Sequence, residues 1–200
     1  MFFESDFSYL EGTNCYCSEE SASSIRQAMS LIPLSSVHYM GTGDYHYCSL
    51  FRAERIEEDF ALVLFDQHPD DQHSAFDEEM LSCGSWVADV RILPHCKKDL
   101  WIDGKGQIAR GAASDIKELP LYLSVDLDVL STEYARTDWD QGEMSLDGLR
   151  EKIREISYGH RIIGADICGG ITESKGGTQR DFELNGKAIE EVREVLQEIL

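Results

Sequence analysis

Two short apolar runs constrain this chain more than any other feature of it. Phe60-Ala-Leu-Val-Leu-Phe65 and Leu121-Tyr-Leu-Ser-Val125 show no regular alternation of polar and apolar residues. A strand with one face in water alternates. Continuous runs of this length fit strands buried on both faces, as in a parallel sheet covered by helices. Arg161-Ile-Ile-Gly-Ala165 is a third such run. Ser36 to Met40, closed by Gly41-Thr-Gly43, and Asp99 to Ile102, closed by Asp103-Gly104, read as further strands. Helical patterns lie between them. Tyr47 to Glu58 is predicted helical. Ser145 reads as an N-cap ahead of Leu146, Leu149, Ile153 and Ile156. A last helix aligns Ala188, Val192, Val195, Leu196 and Ile199. Gly104 to Lys117 is predicted to be a loop. The alternation of strands and helices predicts an α/β fold of three layers (αβα) around a mainly parallel central sheet. No Pro/Gly/Ser linker divides the 200 residues, so 1–200 reads as one domain.

The formal net charge of −20 bears on partners. Such a surface repels phosphate backbones, which argues against nucleic acid and anionic membranes. No apolar run approaches the ~20 residues of a membrane span. The first residues, Met1-Phe2-Phe3-Glu4-Ser5-Asp6, carry no basic or apolar leader pattern, so the chain reads as cytoplasmic. The six cysteines, Cys15, Cys17, Cys48, Cys83, Cys96 and Cys168, show no Cys-x-x-Cys pairing and predict no disulfide framework. Cys15-Tyr-Cys17 is spaced too tightly for the usual zinc finger. Cys48 and Cys168 are expected to pack as small hydrophobes.

The chemistry is concentrated where the buried strands end. Asp66-Gln-His-Pro-Asp70 follows Phe65 directly, and Asp126-Leu-Asp128 follows Val125. His46 follows the strand at Ser36–Met40 within Gly41-Thr-Gly-Asp-Tyr-His46. In open parallel sheets, ligands bind outside the carboxyl ends of the strands. Residues i and i+2 of an extended segment point the same way, so Asp66 and His68 share a face, as do Asp126 and Asp128. Converging carboxylates repel one another unless cations neutralise them. Imidazole and carboxylate ligands together suit Mn²⁺, Fe²⁺, Co²⁺ or Zn²⁺, and carboxylates bridge paired ions in many hydrolytic sites. The plain alternative is that each Asp is a turn residue or a helix cap. The joint occurrence after buried strands favours metal.

These motifs resemble the arginase/ureohydrolase superfamily. The family carries a Gly-rich loop with a metal-binding His, then Asp-x-His-x-Asp, then Ser-x-Asp-x-Asp. Here they are Gly41-Thr-Gly-Asp-Tyr-His46, Asp66-Gln-His-Pro-Asp70 and Ser124-Val-Asp-Leu-Asp128, in the same order, with a weaker likeness at Gly164-Ala-Asp166-Ile. The resemblance implies an arginase-like fold with a binuclear centre, usually manganese. One ion would take His46, Asp66, Asp70 and Asp126. The other would take Asp66, His68, Asp126 and Asp128, with Asp66 and Asp126 bridging. It also implies a metal-bridging hydroxide that attacks a trigonal carbon, with Asp70 orienting it and accepting its proton. The chain departs from the family in two places. The family's proton-shuttling His falls at Cys83, within Ser82-Cys-Gly84, which becomes a candidate catalytic thiol. The family's substrate-binding Glu falls at Gly169. The chain is also short for the family, which implies trimmed specificity loops.

The reading is therefore a metal-dependent hydrolase of a linear C–N bond in a small amidine, guanidine or amide. Rivals are a single-zinc deacetylase-like enzyme using Asp66, His68 and Asp126, and a metal-binding module without turnover. The expected partner is a small-molecule substrate. Related folds form trimers or hexamers, but no interface is legible here. His73, close after Asp70, is a candidate for the pocket lining. Glu173, Arg180 and Asp181 lie in a polar loop that either contacts substrate or is simply solvated. Tyr45 and Tyr47 face the pocket or the core. His38, His95 and His160 read as structural or surface residues.

Overall fold

The computed structural model describes residues 1–72 and 80–200. Its strands are β1 (Phe2–Glu4), β2 (Val37–Tyr39), β3 (Phe60–Phe65), β4 (Cys96–Ile102), β5 (Ile108–Arg110), β6 (Leu121–Asp126) and β7 (Ile162–Cys168). Its helices are α1 (Glu19–Ser30), α2 (Cys48–Ala53), α3 (Trp86–Arg91), α4 (Leu146–Ser157) and α5 (Gln179–Ile199). The strands form one sheet in the order β1-β2-β7-β6-β3-β4-β5. Every neighbouring pair is parallel except β4 with β5. All the central strands thus end at the same edge.

The two-residue period of the strands sorts the core into two layers. Val63, Phe65, Leu123, Val125, Ala165 and Ile167 pack beneath α4 and α5, with Leu149, Ile153, Val192 and Leu196. Leu62, Leu64 and Tyr122 face the other way, into a layer with Ile25 and Met29 of α1, Phe51 of α2 and Trp86 of α3. Every residue of β3, β6 and β7 is buried, as the unbroken apolar runs require. The helices start where local chemistry satisfies their free amides. Ser145 Oγ accepts from Gly148 N at 3.1 Å at the start of α4. Thr178 and Asp181 close a capping box on α5.

Two local expectations change. The helix predicted over Tyr47–Glu58 is only Cys48–Ala53. Beyond it, Arg55 Nη1 is drawn to the carbonyls of Met29 and Ile32 at the end of α1, and Ile56 turns into the core. The predicted loop over Gly104–Lys117 contains β5, which folds back on β4 with Trp101 opposite Arg110. The sequence reading also passed over β1, α1 and α3. Among the described residues, no helix is long and apolar enough to cross a membrane.

Candidate metal centre at the strand ends

The carboxyl edge of the sheet carries one row of side chains facing the α1–α3 layer. The parallel register pairs Phe65 with Val125 and Asp126 with Cys168. Asp66, Asp126 and Cys168 therefore stand side by side. Asp66 and Asp126 are held in the same way. Asp66 Oδ1 accepts from His68 N at 2.6 Å, and Asp126 Oδ1 accepts from Asp128 N at 2.8 Å. These are Asx turns, which the Asp-x-His and Asp-x-Asp spacing makes possible. Each turn fixes one oxygen on the backbone and leaves the other facing inward.

His46 Nδ1 meets those inward oxygens. It lies 3.1 Å from Asp66 Oδ2, 3.0 Å from Asp70 Oδ2 and 3.7 Å from Asp126 Oδ2. Its other nitrogen, Nε2, lies 2.8 Å from Ser124 Oγ, which is 3.1 Å from Ser49 Oγ of α2. The ring is thereby fixed with Nδ1 towards the carboxylates. His68 Nδ1 lies 2.9 Å from Asp128 Oδ2 and 3.5 Å from Asp66 Oδ1. Asp128 Oδ1 accepts from Gln67 N at 2.9 Å. Asp70 is anchored by Trp86, whose Nε1–H donates to Oδ2 at 2.8 Å. Among the described residues, Asp70 and Cys15 are the non-glycine residues with positive φ, 46° and 63°, and both line the cavity that lies over the cluster. Backbone strain of this kind tends to gather at functional sites.

Electrostatics sets the same residues apart. Burial, followed by the repulsion of neighbouring carboxylates, pushes the Asp126 and Asp128 carboxyls well above their usual range. Burial opposes a charged His46, but Asp66 and Asp70 outweigh it and raise its pKa. Asp128 and Asp66 raise His68 to about 11. The cluster is thus organised around positive charge. Three groups bring ligand atoms within 4.8 Å of one another: His46/Asp66/Asp70, Asp66/His68/Asp128 and His46/Asp126/Cys168. Oxygen and imidazole donors in that density fit divalent cations, so the residues present suit the metals that the motifs imply.

The cavity over this cluster has a volume of about 250 Å³ and includes Cys83, Gln72, Tyr16 and Trp139 in its lining. Cys83 is buried there, and its amide donates to Cys15 O at 2.8 Å. Burial, then the charge of Asp70, raises the Cys83 thiol pKa far above its usual value. A larger cavity of about 760 Å³ lies beyond Asp44, but its lining contains none of the cluster residues. The smaller one holds the His/Asp cluster.

The structure brings together His46, Asp66, His68, Asp70, Asp126 and Asp128, with Cys83 on the same wall. His73 lies outside the described residues. Tyr47 is core, its hydroxyl donating to Thr13 O at 2.7 Å, whereas Tyr45 lines the larger cavity. Asp181 caps α5. Asp166 sits one row below the cluster in a buried network with Arg52, Tyr122 and His38. Cys15 and Cys17 do not join a common ligand group among the described residues. Cys168 packs in the core as expected, and its Sγ also lies 3.0 Å from Asp126 Oδ2. Sequence reasoning also missed Trp86, Asp44 and Trp139. Asp44 is buried between Lys175 and Asn14, and Trp139 Nε1 approaches it at 3.3 Å. These contacts cross between segments far apart in the chain and leave no local pattern.

Fold and site together define an α/β protein with a His/Asp cluster at the carboxyl edge of a parallel sheet. The particular form is the arginase-like fold. The chain superposes on a Medicago truncatula arginase with a TM-score of 0.66 at 15% identity, covering 91% of this chain and 66% of that one. A putative agmatinase from Clostridium difficile gives 0.65 at 19% identity, with 90% and 75% covered. A hypothetical agmatinase from Burkholderia thailandensis gives 0.64 at 16% identity, with 90% and 65% covered. In sequence, the chain is 36% identical over 144 residues to an uncharacterized protein of Thermotoga maritima, a match covering 66% of this chain and 57% of that relative. The match thus spans less than two thirds of that relative's length. No family model matches.

Gly169 is the position at which the resemblance leads one to expect a Glu, and the backbone leaves no room for a side chain there. Gly169 has φ +100°, and a Cβ would lie 2.5 Å from Asp126 Oδ1 and 2.8 Å from Leu127 N. The turn out of β7 is packed directly against the His/Asp cluster.

Proposed function

We propose that the chain is a metal-dependent hydrolase of a linear C–N bond in a small amidine, guanidine or amide, built on a binuclear centre. The observation that carries this reading is that the groups His46/Asp66/Asp70 and Asp66/His68/Asp128 share Asp66. A shared carboxylate is what two neighbouring cations need. In the proposal, His46, Asp66, Asp70 and Asp126 hold one ion, and Asp66, His68, Asp126 and Asp128 hold the other. Mn²⁺ suits the carboxylate-rich set, with Zn²⁺, Fe²⁺ or Co²⁺ as alternatives. Bound there, divalent cations supply Lewis acidity towards a trigonal carbon and lower the pKa of water.

The chain's own groups supply the rest. Trp86 and His46 hold Asp70 Oδ2 in place, so the Asp70 carboxylate is positioned to take the proton of the attacking water. In this reading Cys83, on the cavity wall, passes a proton to the leaving nitrogen. Trp139 lies edge-on to His68, with ring centroids 6.1 Å apart, and gives substrate an apolar surface. A volume of about 250 Å³ lies just below the ~300–1,000 Å³ of ordinary ligand pockets and restricts the substrate to a small molecule.

Metal stoichiometry tests the reading. Inductively coupled plasma mass spectrometry on protein purified without chelators, then reconstituted with Mn²⁺, should find close to two ions per chain. One tightly held zinc would replace the reading with a single-ion, deacetylase-like site. No metal under either condition would end it. Asp126→Ala removes a bridging carboxylate and should release metal. Equal metal content in this variant and wild type would overturn the ligand assignment. A panel of amidines, guanidines and amides then separates an enzyme from a metal-binding module without turnover.

A further inference from the structure

From the row of side chains at the sheet edge we infer that Cys168 is itself a metal ligand, making the His46 side of the centre a mixed S/N/O site. The inference rests on the metal-centre reading above and adds a donor to it.

The geometry has three parts. First, Cys168 is the last residue of β7 and the register partner of Asp126. In-register neighbours of a parallel pair project to the same face, so the thiol and the carboxylate leave the sheet together. Gly169 and Gly170, with φ of +100° and +149°, then turn the chain away. Second, Cys168 Sγ lies 3.0 Å from Asp126 Oδ2. That oxygen is not the one fixed by the Asx turn but the inward one, 3.7 Å from His46 Nδ1. Third, the ligand atoms of His46, Asp126 and Cys168 lie within 4.8 Å of one another, and all three residues are buried.

The bland account makes Cys168 a small core residue whose S–H donates to a carboxylate. It explains the burial. It accounts for the thiol too, but not for the convergence of His46 on the same two ligand atoms within 4.8 Å. As a ligand, Cys168 loses its S–H proton to solvent when the sulfur–metal bond forms, and the metal keeps its oxidation state. A thiolate is a soft donor and favours Zn²⁺, Fe²⁺ or Co²⁺ over Mn²⁺. The chain's own residues thus bias its metal choice away from an all-oxygen and imidazole site.

Cobalt reports sulfur ligation directly. Protein freed of metal with a chelator is titrated with Co²⁺ and followed by absorption. Wild type should show a near-ultraviolet sulfur-to-cobalt charge-transfer band beside the visible ligand-field bands. Cys168→Ser and Cys168→Ala should keep the ligand-field bands and lose the charge-transfer band, while Cys15→Ser and Cys83→Ser retain it. In Cys168→Ser the ratio of Zn²⁺ to Mn²⁺ affinity should fall by at least about tenfold, the lower end of what lost support of a metal site produces. Ligand-field bands without charge transfer in wild type would overturn the proposal and leave the metal centre standing. No Co²⁺ uptake would overturn both. X-ray absorption at the zinc edge of zinc-loaded wild type needs no variant. A sulfur scatterer in the first coordination sphere is expected, and a shell of nitrogen and oxygen alone would sink the inference.

Discussion

At the scale of single residues, the site is organised by what each carboxylate does with its two oxygens. Asp66 and Asp126 give one to a backbone amide two residues on and keep the other for the cluster. This is a local device, written in the Asp-x-His and Asp-x-Asp spacing. Gly169 is the opposite case. Its role comes from a neighbour 43 residues back in sequence, because the Asp126 carboxylate occupies the space a side chain would need. Placing there the carboxylate that the resemblance leads one to expect should therefore fail. Gly169→Glu places Cβ against Asp126 at a φ that side chains rarely adopt, with a backbone cost of roughly 1–3 kcal/mol before the clash is counted. We expect a lower melting temperature and lost metal binding. A variant that melts like wild type and gains guanidine hydrolysis would show that the turn after β7 can rearrange.

At the scale of elements, the loop that carries Asp70 is tied to two others by ions. Asp71 Oδ2 accepts from Arg91 of α3 at 3.1 Å and from Arg110 of β5 at 2.9 Å. The same arginines reach Asp99 Oδ2 of β4 at 3.0 and 2.6 Å. Burial raises the Asp99 pKa, but Arg91 and Arg110 outweigh it and hold the carboxyl below its usual value. A depressed folded pKa adds stability that is complete above the unfolded value of about 3.9 and is lost as pH falls through the folded one. Asp99→Asn removes that contribution. Its urea midpoint should trail wild type at neutral pH by about 1 kcal/mol of stability, a modest figure for partly exposed pairs. The gap should close as pH drops below about 4. A gap that persists into acid would assign the loss to packing instead. This ionic box explains why Gly104–Lys117 did not remain a plain loop: Arg110 is held in register with Trp101 by a partner on β4 and another beside Asp70.

At the scale of the molecule, 38 acidic side chains face 18 basic ones. Four of the acids are gathered into one buried cluster, Asp44 and Asp166 are buried against Lys175 and Arg52, and most of the others make the surface repel itself. On the proposed metal centre, chelation should aggravate this, because the cluster then lacks its counter-charge. Between about 10 and 150 mM NaCl the screening length falls from about 30 Å to about 8 Å. We expect the urea midpoint of chelator-treated protein to rise over that range. A fall would mean that favourable ion pairs, such as Arg26 with Glu54, dominate the surface energy.

The layers, the parallel sheet and the residues of the His/Asp cluster are legible in the amino-acid order alone. Burial on both faces leaves unbroken apolar runs, and a site at strand ends leaves polar residues directly after them, so both are local signals. The same order determined the α4 cap, because Ser145 acts on an amide three residues away. Tertiary structure alone decided which distant groups complete the site. His46 is oriented by Ser124 across 78 residues, Asp70 is anchored by an indole 16 residues away, and Cys168 meets Asp126 across 42. Such contacts depend on strand order and register, which no short window of the chain encodes. A cysteine in an apolar strand reads as packing until the neighbouring strand puts a carboxylate beside it.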